Sequence, residues 1–214
     1  MREPERIPSM QVNSGVRIRS STALEGGMIK RVFVAGSLGF VVLTIWTFVV
    51  NVLFGFTARM AMNRVADERA VYRVLKENIT APGLYLVNPA LTAEWQFPPG
   101  EPVFGVSYSG MGHEAAGPMM LVGFAANVAT SLLVAGLLSA ASANVLSTGV
   151  RRTGFVVALG VLMAVAADVS RLGIGGCPLE TVSARAGVRV AGWALAGLAM
   201  AWAMRPSARE PKPA

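Results

Sequence analysis

The chain has little with which to do redox or metal chemistry. Among its 214 residues there is one cysteine, Cys177, which excludes an internal disulfide and any multi-cysteine zinc or iron–sulfur site. The one histidine, His113, excludes bis-histidine haem ligation within a single chain. Charge is scarce as well. Only 14% of residues are charged while 53% are hydrophobic, and mean hydropathy is +0.52, far from the balance of a soluble domain. The scarcity is uneven. No charged residue and no proline occurs between Val32 and Phe56, a run of 25 residues. At about 1.5 Å per residue this run is long enough to cross a hydrocarbon core of about 30 Å with some tilt. Its polar content is the thin line Thr44, Thr47, Asn51, which is not the charged face of a soluble amphipathic helix.

Three more apolar stretches follow, and none is interrupted by proline. Residues 119–146 form an uncharged run carrying Asn127 and Asn144. Residues 154–171 are apolar until Asp168. Residues 181–204 begin with Arg185 and Arg189, which are expected to snorkel to an interface. The fold class expected is an integral membrane α-helical bundle of four transmembrane helices, with a small α+β extracytoplasmic module between the first and second. The boundaries expected are a largely disordered tail at 1–31, the first span at 32–56, the module at 57–118 and the second span at 119–146. A turn at 147–153, marked by Arg151 and Arg152, leads to the third span at 154–171. A loop at 172–180, the fourth span at 181–204 and a tail at 205–214 complete the chain. The tail is polar and lacks an apolar period, and Met28 before Ile29, Lys30 and Arg31 also reads as a natural start. The first apolar run is too long for the core of a cleaved signal peptide.

The basic residues orient the bundle. The formal charge is +7, and all of it lies on the side of the two tails and the Arg151–Arg152 turn. The opposite side holds eight basic and eight acidic residues and nets zero. By the positive-inside rule both termini are cytoplasmic, in a multi-pass protein of a bacterial inner (plasma) membrane. Anionic lipids on the cytoplasmic side are a sufficient partner for that charge, and nucleic acid is not required.

Residues 57–118 are too long for a bare connector. Asp67 is placed to cap a helix from Glu68 to about Asn78, which Pro82 and Gly83 end. Leu84–Val87 and Val103–Tyr108 read as strands, with a turn at Phe97-Pro98-Pro99-Gly100 between them. A helix and two strands are marginal alone, so the module is expected to complete its core on the bilayer, the bundle or a second copy.

Several residues carry a likeness. The segments Gly83-Leu84-Tyr85-Leu86-Val87-Asn88-Pro89 and Pro102-Val103-Phe104-Gly105-Val106-Ser107-Tyr108, with Ala167-Asp168 closing the third span, resemble a family of small uncharacterised bacterial inner-membrane proteins. Those proteins have four spans and a long first extracytoplasmic loop. The resemblance covers roughly residues 30–204 and implies the four-span plan, but no activity.

Candidate chemistry is sparse. Asp168 and Arg171, three residues apart, are helical neighbours expected to form a structural ion pair at the edge of the hydrocarbon, an ion or substrate role being the rival. Weaker candidates are His113 with Glu114 in a glycine-rich run, Asn127 at membrane depth, and Cys177 beside Pro178. His113 and Glu114 are two ligands at most, short of a closed metal site. No catalytic residue, cofactor or metal is expected. The Asn78-Ile79-Thr80 sequon is a chance match in a bacterial chain. Small residues recur every four positions at Ser131, Ala135, Ser139 and Ala143, at Gly160 and Ala164, and at Gly192 and Ala196. Such stripes let helix backbones approach closely in lipid.

The function expected is that of a structural, accessory or assembly subunit without evident catalysis. It docks through its external module on a second copy or another membrane protein. The alternative is a small transporter or membrane-embedded enzyme using Asp168, Arg171, His113 and Glu114. The unbroken spans weigh against a transporter.

Overall fold

The computed structural model describes residues 19–60, 63–88, 100, 102–173 and 176–205, with side chains described from residue 26 onward. Four long helices dominate it: α1 (Arg19–Phe48), α4 (Ala116–Ser139), α6 (Gly149–Ala167) and α7 (Leu179–Ala203). Each, with its short extensions, is long and apolar enough to cross a membrane: Gly26–Leu53, His113–Ser139, Gly149–Arg171 and Leu179–Ala203. Short helices lie between them: α2 (Phe56–Met60), α3 (Glu68–Asn78) and α5 (Ala143–Leu146). Two strands, β1 (Gly83–Val87) and β2 (Phe104–Tyr108), form an antiparallel pair.

Helix ends differ from the expected boundaries for local reasons. Helix α1 begins at Arg19, inside the segment expected as a disordered tail at 1–31. Once the apolar span has nucleated a helix, extending it backwards through Leu24, Met28 and Lys30 adds one hydrogen bond per residue fixed. Residues 1–18 and 206–214 lie outside the described residues. At its other end α1 relaxes into a π-helical turn, Val49–Leu53, and Gly55 at φ +60° turns the chain into α2, a backbone state costly for a residue with a Cβ. The apolar run at 119–146 is not one helix. It stops at Ser139, after 24 residues and about 36 Å, enough to traverse a bilayer core, and the remainder folds as α5. The Arg151–Arg152 turn belongs to α6 instead, because the Thr148 hydroxyl accepts the Arg151 amide at 3.2 Å and starts the helix at Gly149.

The module follows the sequence more closely. The Asp67 carboxylate accepts the Ala70 amide at 2.9 Å and caps α3 as expected. The strand register pairs Gly83 with Tyr108, Tyr85 with Val106 and Val87 with Phe104. Of the expected Phe97–Gly100 turn, only Gly100 lies within the described residues.

The long helices pack in the order α4–α1–α7–α6, and α4 and α6, which would close the ring, meet only sparsely. The core comprises Ala35, Val134, Ala135, Leu138, Val156, Trp193, Ala196 and Met200. All lie in the half of the bundle nearer the start of α1 and the end of α7. Toward the module every α4 residue from Ala116 to Ala129 is exposed, while Val50, Ala164 and Val182 stay buried among the other helices. An edge-to-face ring pair, Phe40 with Phe124 at 6.3 Å, leans this half of α4 on α1.

The expected small-residue stripes lie on these seams. A Cβ on Gly160 would meet Trp193 Cβ at 2.5 Å, and one on Gly197 would meet Val156 Cβ at 3.1 Å. One on Gly192 would meet the Trp46 ring at 2.7 Å. Ala135, Ala164 and Ala196 are buried, whereas Ala143 falls in α5 and is exposed.

Candidate functional site

At the module end of the bundle the helices line an open cavity of about 370 Å³. Its apolar wall is Leu43 and Trp46 from α1, Met163 from α6, and Val188 and Trp193 from α7. Its polar lining is Thr47, Asn51, Asn127, Thr130, Asp168, Arg171, Arg185 and Arg189. The position follows from how each helix ends. The π-turn of α1 carries Asn51, whose amide donates to the Thr47 carbonyl at 2.9 Å and whose Oδ1 accepts the Thr57 hydroxyl. Helix α6 ends at Ala167, which places Asp168 at its C-cap and Arg171 in the following 3-10 turn. Helix α7 presents Arg185 and Arg189 one turn apart, on the face that continues into Gly192 and Ala196.

Asp168 is 2% exposed and does not pair with Arg171. Its partner is Arg189 across the helix seam: Nε donates to Oδ2 at 2.7 Å and Nη2 to Oδ1 at 3.1 Å. This two-point fork is the strongest geometry open to an ion pair. The expected i, i+3 pairing fails because both carboxylate oxygens are taken by Arg189 across the seam. Arg171 instead turns back, and its Nε donates to the Ala167 carbonyl at 3.2 Å, satisfying an acceptor that the helix end leaves free. Both residues still line the cavity.

Trp46 ties α1 into this lining. Its indole Nε1 donates to the Val188 carbonyl at 2.9 Å, joining α1 to α7 beside Gly192. Thr181 adds a second tie near this end, its hydroxyl donating to the Met60 carbonyl at 3.1 Å.

The other sequence candidates separate. Asn127 lies on the cavity; His113 and Glu114 do not, being exposed in a single 3-10 turn before α4. Cys177 is a half-buried free thiol whose backbone amide donates to the Arg171 carbonyl at 2.9 Å. No cluster of three metal-ligating side chains occurs among the described residues.

Sequence reasoning placed Arg185 and Arg189 at the interface but missed their common cavity with Asp168. It also missed Arg152, which is 4% exposed at the far end of the same α6–α7 seam. The Arg152 Nη1 donates to the carbonyls of Met204 at 2.7 Å and Ala201 at 3.2 Å, capping α7, while Nε reaches the Thr148 carbonyl. A signal for the Asp168–Arg189 pairing existed in the small-residue stripes. Asp168 extends the Gly160–Ala164 stripe by one step of four, and Arg189 extends the Gly192–Ala196 stripe backwards. Comparison with family models, with curated proteins and with solved structures finds no match for this chain.

Proposed function

We propose that this chain is a multi-pass protein of a bacterial inner membrane, with both termini cytoplasmic, acting as a structural or accessory subunit. It docks through its extracytoplasmic module on another membrane protein. The observation that supports docking is that α3, β1 and β2 bury no residue among those described. Helix α3 buries no side chain, and in β1 and β2 only Tyr85 and Val106, which face each other, are half-buried. Leu84 at 77%, Phe104 at 59% and Tyr72 at 64% exposure leave apolar area that a stable module covers. The four apolar helices support the membrane placement, and the charge asymmetry supports the orientation.

The test is site-specific photo-crosslinking in intact cells, with the probe at Val87, at Phe104 directly across from it on the same face and, as a control, at Val150 on α6. The docking reading expects one discrete adduct with a second membrane protein from the two module positions and none from Val150. An adduct of twice the chain mass would identify a second copy as the occupant and overturn the partner assignment. The absence of adducts at both module positions would overturn docking itself.

A further inference from the structure

The Asp168 cavity holds more positive charge than its own structure uses. Three arginines line it against one aspartate, and the Asp168 carboxylate is already occupied by the fork from Arg189. Arg171 spends one donor on the Ala167 carbonyl, and no hydrogen bond among the described residues engages the Arg185 guanidinium. Each guanidinium carries five N–H donors in a fixed plane. Two such groups face one small volume with most of their donors unused and a charge excess of two. Ionisable groups at membrane depth are costly to keep and face a cavity or a partner when they are kept.

The shape of the cavity adds a second constraint. Beside the arginines it is lined by Leu43, Trp46, Met163 and Trp193, so it is amphipathic. It is not closed toward the bilayer. The ring of helices is weakest between α4 and α6, and the half of α4 that borders the cavity, with Asn127, is exposed along its length. A ligand with a polar head and an apolar tail can enter sideways there, head toward Arg171 and Arg185, tail along the α4–α6 gap. The volume of about 370 Å³ lies in the range of small-molecule sites, about 300–1,000 Å³.

We infer that this cavity binds the phosphate group of an anionic amphiphile, a phospholipid or a similar lipid phosphate, between Arg171 and Arg185. Arg189 serves as the positioning residue, because its fork to Asp168 holds α7 against α6 and fixes the separation of the other two arginines. Phosphate fits better than carboxylate: even in a diester its two unesterified oxygens, splayed tetrahedrally, can each accept from a different guanidinium plane, and its negative charge offsets part of the excess. The site rests on the membrane placement proposed above but is independent of docking by the module. A chain that stays in solution without detergent would undo the placement, whereas a negative result in the binding test leaves the placement standing.

The test uses the full chain in an uncharged detergent, followed by thermal unfolding. The probes are dihexanoyl-phosphatidylglycerol, dihexanoyl-phosphatidylcholine and inorganic phosphate, titrated at constant ionic strength. The expected result is a saturable rise in Tm with the anionic lipid at concentrations where the zwitterionic lipid has little effect. Arg171→Gln with Arg185→Gln raises the half-saturating concentration about ten-fold or more, the worth of one or two charge-assisted hydrogen bonds. Arg171→Lys with Arg185→Lys keeps the charge and retains the preference for the anionic lipid, which separates lost binding from lost fold. Equal responses to the two lipids would overturn the inference, as would an undiminished response in the glutamine variant. A full shift from inorganic phosphate alone, with no gain from the lipid, would overturn the amphiphile in favour of a free anion.

Discussion

Replacing Asp168 by Asn removes one charge and almost no volume, so its effect isolates the ion pair. In the native arrangement both carboxylate oxygens accept from Arg189, at 2.7 and 3.1 Å. An asparagine keeps one acceptor and turns an N–H₂ toward a guanidinium that can only donate. Breaking a buried pair costs about 3–5 kcal/mol. The Arg189 side chain is 39% exposed and can lift toward the headgroups, so a cost of about 1–3 kcal/mol is expected for Asp168→Asn. Arg189→Gln costs more than Asp168→Asn, because it strands a carboxylate that is 3% exposed and on a short stem, unable to reach water. The double variant costs less than the sum of the two by about 1–2 kcal/mol, the coupling between groups in contact. The assay is reversible denaturant unfolding in detergent for both single variants, the pair, and the matching set with Arg171→Gln. Coupling of Asp168 to Arg171 as strong as to Arg189 would refute the cross-seam pairing. A rise in stability on Asp168→Asn would show a carboxylate held for function at the expense of the fold.

Other positions give equally direct outcomes. Gly160→Ala would press a methyl group to 2.5 Å from Trp193 Cβ, a stem atom that cannot swing away, so α6 and α7 must part; a loss of about 1–3 kcal/mol is expected, read as a lower detergent Tm. Gly39→Ala meets only the flexible Met200 end and should cost less; the reverse order would contradict the α6–α7 seam as the tightest contact. Arg152→Met keeps the length of the stem but leaves the Ala201 and Met204 carbonyls unsatisfied, for an expected loss of about 1–3 kcal/mol; faster hydrogen exchange confined to the last turn of α7 would report it, and unchanged exchange there would exclude the cap. Gly55→Ala strains a left-handed turn and should cost about 1 kcal/mol, with no change if the π-turn can extend into α2 instead.

What could be read from the chain, and what could not, divides along the range of the forces involved. The long helices and α3 with its Asp67 cap follow from apolar run length and capping chemistry, both local. Arg151 and Arg152 were misplaced because their charge drew attention to a turn, while the capping hydroxyl of Thr148 lay just before them. Asp168 has a different partner from the one its local spacing suggests: Arg171 is its helical neighbour, but the two-point fork from Arg189 takes both carboxylate oxygens and leaves Arg171 to the Ala167 carbonyl. Arg189 is 21 residues away in sequence and becomes a neighbour only when Gly160 and Gly192 let α6, α7 and α1 close on one another. The cavity was therefore hidden, although its residues were named singly. His113 and Glu114 resembled a site because they adjoin in sequence, yet one exposed 3-10 turn brings nothing else to them.

Membrane insertion with the module outside underlies both the docking and the lipid site, and dual reporter fusions test it most directly. An enzyme active only outside the cytoplasm and a fluorophore active only inside are fused in turn within the module, at Asp67, and after Ala214. Four spans with cytoplasmic termini require outside activity at Asp67 and inside fluorescence at Ala214. The same side for both positions would contradict the four-span topology, and inverted signals would contradict the orientation drawn from the +7 charge.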